Sequence, residues 1–203
     1  MMSWSVAEAA VLSRLTHPAS IQEHLDALPY NAGTTCRSPR GVIRYGIAHC
    51  MEGALLAAAA LERLGHPPLL VNIRAVRDDD HVIAIFRHGR RLGAMAKSNY
   101  AGLRYRSPVY RSVRELVVSY FDHYFNTSGE LTMRAYSRPL DLRARRFSGW
   151  QWAEDDEYIG DALDRQGETV IVDARVEPDL RPVDARLLEA GLLGANPAGL
   201  FKV

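Results

Sequence analysis

Hydrophobic and polar residues follow two rhythms along this chain, and the change between them falls at Pro67-Pro68. Upstream the spacing is helical. Ala7, Ala10, Val11 and Leu15 share one side of a segment over residues 6–15. A second helix is predicted over residues 20–28, with Ser20 as its cap and Glu23 three residues on. The stretch from Tyr30 to His49 is rich in Gly, Thr, Ser, Pro and Arg and reads as ordered loop. Residues 50–64 are apolar nearly all the way round, which predicts a buried helix, and Gly65 with Pro67-Pro68 closes it. Downstream the period falls to two. Residues 69–76, 81–87 and 91–97 read as three strands joined at Arg77-Asp78-Asp79-Asp80 and His88-Gly89-Arg90, an antiparallel meander. A helix followed by such a meander predicts the α+β class.

Residues 98–111 form a loop into an amphipathic helix over 113–125, where Tyr120, Phe121, Tyr124 and Phe125 have the spacing of core residues. Residues 131–137 and 170–172 are further candidate strands; a helix to about Gln166 follows Trp150, Trp152 and the acidic stretch Glu154 to Glu157, and 184–193 is a further candidate helix. The pattern weakens beyond Pro139. The chain therefore divides into a core with N-terminal helices over 1–140 and an extension packed on it over 141–203.

A chain of 203 residues that is 47% hydrophobic can bury one substantial core. The formal net charge of +1 speaks against nucleic acid as a partner. The arginines clustered at 104, 106, 111 and 114, and again at 143, 145 and 146, read as solvated faces. Two cysteines, Cys36 and Cys50, make no disulfide framework and have no Cys-x-x-Cys spacing. The N-terminus shows no basic stretch followed by an apolar one. The longest apolar run, residues 54–61, is far short of the roughly 20 that span a bilayer. These features predict a cytoplasmic, reducing setting away from the membrane, in which Cys50 stays a free thiol.

Cys50 carries the chemistry. At the first turn of its helix it meets unpaired N–H groups and the positive end of the dipole, both of which favour the thiolate. A nucleophile of this kind needs a base, a group that orients the base, and donors for the developing oxyanion. His81, at the start of a strand, is the candidate base. In a hairpin the start of one strand lies beside the end of the next, which places His81 near Lys97-Ser98-Asn99. The amide oxygen of Asn99 can accept the imidazole proton, so Asn99 is the candidate orienter and Ser98 the second choice. The backbone N–H of Cys50 is the natural oxyanion donor, with Gln22 or Tyr30 as candidates for a side-chain donor. His49 points elsewhere and reads as the helix cap. Cys36 reads as an ordinary loop thiol. The run Asp78-Asp79-Asp80 reads as a solvated turn, since with His81 it matches no metal-ligand spacing. No metal and no organic cofactor is expected.

The stretches Ala48-His49-Cys50-Met51-Glu52-Gly53-Ala54, Leu61-Glu62-Arg63-Leu64-Gly65-His66-Pro67-Pro68 and Asp80-His81-Val82 resemble the transglutaminase-like branch of the papain-like thiol enzymes. The resemblance runs from about Gln22 to Arg106. It implies a papain-like core with a central buried helix on an antiparallel sheet, Cys50 as nucleophile and His81 as base. That family usually carries an aspartate on the third strand after an aromatic-rich segment. Here Gly93-Ala94-Met95-Ala96-Lys97-Ser98-Asn99 has neither Trp nor Asp, and Asn as third member is a known variant on papain-like folds. The expectation is a thiol-dependent acyl-transfer enzyme that hydrolyses an amide or peptide-type bond in a peptide, protein or small amide. The competing expectation is a transglutaminase-like scaffold or binding protein that has lost catalysis.

Overall fold

The computed structural model describes residues 3–202. Four helices precede the sheet: α1 (Val6–Arg14), α2 (Pro18–Ala27), α3 (Pro39–Tyr45) and α4 (Cys50–Arg63). Helix α2 starts earlier than its sequence suggests. His17, not Ser20, is its cap: His17 Nδ1 accepts from Ser20 N while Ser20 Oγ accepts from His17 N. Pro18 then supplies a backbone angle already suited to the first turn. Helix α3 lies inside the stretch expected to be loop. Ser38 caps it, Pro39 opens it and Gly46 closes it at φ 67°. Those signals stand in the sequence, but a helix of 7 residues is too short to show a periodicity.

Helix α4 is buried continuously from Met51 to Leu61. Behind it lies one antiparallel sheet of β1 (Leu69–Ala75), β2 (His81–His88), β3 (Arg91–Met95), β4 (Arg106–Tyr110), β5 (Met133–Ser137), β6 (Leu140–Asp141) and β7 (Glu168–Val170). The order is β4-β3-β2-β1-β5-β7, with β6 also on β1. Strands β4 and β6 extend the expected meander at stretches whose residues do not alternate. The chain is thus α+β.

The sheet is apolar on both faces. Leu70, Val82, Ala84 and Phe86 pack with the alanines and leucines of α4. Val71, Ile73, Ile83 and Ile85 pack on the other side with Leu116, Tyr120, Tyr124 and Phe125. Burial on both faces explains why β1 and β2 read as near-continuous hydrophobic runs. The aromatic helix is shorter than expected. It comprises α5 (Val113–Val118) and a 3₁₀ turn (Phe121–His123), because Ser119 Oγ donates to Leu116 O and the Ser119 carbonyl accepts from Arg106. Beyond residue 140, Phe147, Trp150, Ile159 and Leu163 join the α4 core, and β7 pairs with β5. Helices α6 (Glu157–Asp164) and α7 (Ala185–Leu192) complete the fold.

Helix α4 comes close to the end of β3 at Gly53, where a Cβ would lie 2.4 Å from Lys97 Cβ. Alanine is the better helix former, yet Gly53→Ala should lower stability by about 1–3 kcal/mol, because the helix must move off the strand. Urea unfolding measures this, and unchanged or increased stability would contradict the packing.

Candidate active site

One carboxylate organises the loop in front of α4. Glu52 is fully buried and accepts hydrogen bonds from Asn31 Nδ2 (2.9 Å), Arg37 N (3.1 Å), Arg37 Nη1 (2.9 Å) and His49 N (3.0 Å). His49 is thereby fixed as the cap of α4: its Nδ1 accepts from Met51 N at 3.2 Å, and its Nε2 bonds Thr35 O at 2.9 Å. Its ring also lines the outer cleft together with Cys50. Burial works against protonation of His49, but Cys50, Glu52 and Thr35 outweigh it and raise its pKa. A helix cap beside the cysteine thus also favours the Cys50 thiolate, which the divergence of adjacent residues at a helix start does not suggest.

Cys50 opens α4 half-buried, with Sγ 3.7 Å from Asp80 O. Burial alone would push its thiol up. The neighbouring imidazoles of His49 and His81 favour the thiolate and bring it down to about 6. Cys36 is the contrast: it is buried without such partners, and burial pushes its thiol up. Both cysteines are free.

The turn between β1 and β2 is built rather than merely solvated. Asp80 Oδ1 accepts from Ala75 N and Oδ2 from Asn72 Nδ2, while Asp78 accepts from Thr132 Oγ1 and Asp79 N. The Tyr124 hydroxyl donates to Asp79 O at 2.7 Å. This turn leads into His81, which is 4% exposed and lines the same inner cavity as Cys50. The His81 ring is flanked edge-on by Tyr120 and Tyr124, at centroid distances of 6.4 and 6.3 Å. Its Nε2 bonds Leu103 O at 2.8 Å. A carbonyl only accepts, so Nε2 carries the proton and Nδ1 is the nitrogen left for sulfur. The Leu103 carbonyl is steadied on both sides, since Arg106 Nη2 donates to Gly102 O (2.9 Å) and the Tyr120 hydroxyl to Arg104 O (2.8 Å).

Asn99 therefore does not orient His81. Its Nδ2 donates to Asn196 O (2.9 Å) and its Oδ1 accepts from Asn196 N (2.7 Å). Ser98 is occupied too, its Oγ accepting from Tyr100 N. The cause is where β3 ends. The β2–β3 ladder reaches Ala84 opposite Met95, and the next residue, Ala96, is claimed by Gln22. Gln22 Oε1 accepts from Ala96 N and its Nε2 donates to Ala96 O and to Asp26 Oδ1. That also corrects the reading of Gln22 as an oxyanion donor: both hydrogens of its amide are already spent on structure.

Two cavities meet at the thiol. An inner one of about 30 Å³, room for one water, is lined by Cys50, His81, Asn99, Leu103, Tyr124 and Phe201. An outer cleft of about 370 Å³ is lined by Tyr30, Gly33, Thr34, His49, Cys50 and Leu200. The cleft is of a size that takes small ligands. Among the described residues, no group of three or more His, Cys, Asp or Glu side chains is placed to hold a metal ion, and no helix is long and apolar enough to cross a membrane.

No protein-family model and no curated protein matches the chain. Among solved structures, Legionella pneumophila LapG (EGTA-treated) is 13% identical, with 77% of this chain and 84% of that chain covered and a TM-score of 0.42. These values are too low to establish a shared fold.

Asn99→Ala separates the two roles considered for that residue. An orienter's loss would move the pH midpoint of Cys50 alkylation upward. The observed bonding to Asn196 predicts a midpoint that stays near about 6, as read from the rate of carboxymethylation across a pH series.

Proposed function

We propose that this chain is a transglutaminase-like, papain-like thiol enzyme that hydrolyses an amide or peptide-type bond, with Cys50 as nucleophile and His81 as base. The observation that carries the reading is a free thiol at a helix N-terminus that lines one cavity with a histidine whose Nε2 is tied to Leu103 O; the thiol, brought down to about 6 by His49 and His81, agrees with it. A thiol poised this way is largely thiolate at neutral pH, whereas an ordinary one is not.

In the proposed reaction the Cys50 thiolate attacks the carbonyl carbon, and the C=O electron pair moves onto oxygen. As the first residue of α4, Cys50 has a backbone N–H with no intrahelical acceptor, and it donates to that oxyanion. Tyr30, which lines both cavities, is the candidate second donor. Burial, and then the neighbouring thiolate, raise its pKa, so its phenol keeps the proton it would donate. His81 Nδ1–H protonates the leaving amine as the C–N bond breaks. Water then attacks the thioester while His81 takes its proton, and the acid leaves from a regenerated thiolate. The Leu103 carbonyl holds the tautomer and ring orientation that a third side chain supplies in other thiol enzymes. Being neutral, it stabilises the imidazolium less than a carboxylate would. His49 is the poorer proton carrier, because protonation at Nδ1 would give up the Met51 cap bond.

The substrate in this reading is a peptide, protein or small amide, and no metal or organic cofactor enters the scheme. Residues 1–140 form the catalytic core and 141–203 the extension. A reducing, cytoplasmic setting keeps the thiol free.

His81→Ala should slow Cys50 alkylation at pH 6 by about tenfold or more, because an ionic partner of the thiolate is lost. Reactivity should persist in part through His49 and the helix N-terminus. Mass-spectrometric labelling reads it, with Cys36 as the internal control. Unchanged labelling of Cys50 in a folded His81→Ala protein would leave the non-catalytic scaffold as the better account.

A further inference from the structure

The segment after α7 lies over the thiol. Asn99 bonds both the N–H and the C=O of Asn196, which is how a neighbouring strand reads a backbone. Asn196 Nδ2 donates to Tyr30 O at 3.3 Å, and Asn196 Oδ1 accepts from Ala198 N, closing a 3₁₀ turn (Pro197–Gly199). That turn lays Gly199 on the Tyr30 ring. A Cβ at Gly199 would lie 2.7 Å from Tyr30 Cδ1 and Cε1 and 3.3 Å from Asn99 Nδ2. Ala198, Gly199 and Leu200 line the outer cleft, while Gly199 and Phe201 line the inner cavity, and Cys50 borders both.

We propose that Asn99 and Tyr30 form a subsite for polypeptide backbone, and that residues 196–201 fill it in cis, in competition with substrate. The substrate class is then a polypeptide that offers one residue's N–H and C=O to Asn99 and passes a glycine across Tyr30, as in an Asn-x-x-Gly turn. The backbone bonds set no side-chain requirement, but the flat contact with the Tyr30 ring excludes anything larger than glycine at that point. Occupancy of the subsite rests on this geometry alone. Its consequence for catalysis rests on the thiol chemistry proposed above.

The full-length Gly199→Val protein tests this, because the added side chain cannot share space with the Tyr30 ring while Asn99 and Tyr30 stay intact. The probe is a synthetic peptide of residues 194–202 carrying a fluorophore. Loss of the two Asn99 bonds predicts that a bulky maleimide labels Cys50 about tenfold faster in Gly199→Val than in the parent protein. The peptide should bind Gly199→Val by anisotropy and restore slow labelling, whereas the same peptide carrying Gly199→Val should do neither. Adding Asn99→Ala should abolish binding. If circular dichroism shows Gly199→Val to be unfolded, Asn196→Gly, which loses the Tyr30 bond and the turn cap, takes its place with the same expectations. Labelling as slow as in the parent with no peptide bound, or equal binding of both peptides, overturns the subsite. Peptide binding in proteins whose Cys50 never labels faster than an ordinary thiol would keep the subsite and overturn the enzyme.

Discussion

The buried Glu52 carboxylate is the interaction on which the start of α4, and hence the site, depends. A carboxylate with no exposure is tolerated only when hydrogen-bond donors and a cation surround it. Here they come from Asn31, Arg37 and His49, three separate points of the preceding loop. Meeting the needs of one charge therefore folds that loop around the helix start. It also sets His49 as the cap and leaves Cys50 as the first helical residue, with the cleft in front of it. The charge sits one turn into a helix, where the dipole favours an anion.

A second constraint holds the base. Aspartates facing inward at the β1–β2 turn, a tyrosine layer beneath it and the Leu103 carbonyl together leave His81 little freedom. The first constraint sets His49 and Cys50 at the helix start, and the second holds His81 in the cavity that Cys50 also lines. At Cys50 burial works against the thiolate, and the two histidines work for it.

What the sequence made legible follows from what kind of group does each job. Cys50 at a helix start and His81 at a strand start are side chains at positions fixed by strong periodic elements, and both fall where the pattern puts them. The group that orients His81 is a backbone carbonyl, which every residue carries, so no residue type could announce it. Asn99 looked right by chemistry and by hairpin register. Gln22 takes Ala96 out of the ladder from 74 positions away, and Asn99 finds its partner 97 positions away. Such long-range amide–backbone pairs leave no local pattern. Helix α3 went unread for a different reason, being too short for its Ser38, Pro39 and Gly46 signals to frame a repeat.

The central claim is that Cys50 is held as a thiolate by its histidines, and ultraviolet absorbance of the thiolate, titrated against pH, tests it most directly. The difference between the parent protein and Cys50→Ser isolates that one group. The account predicts a midpoint of about 6. A midpoint at the ordinary cysteine value of about 8.5 or above would contradict it.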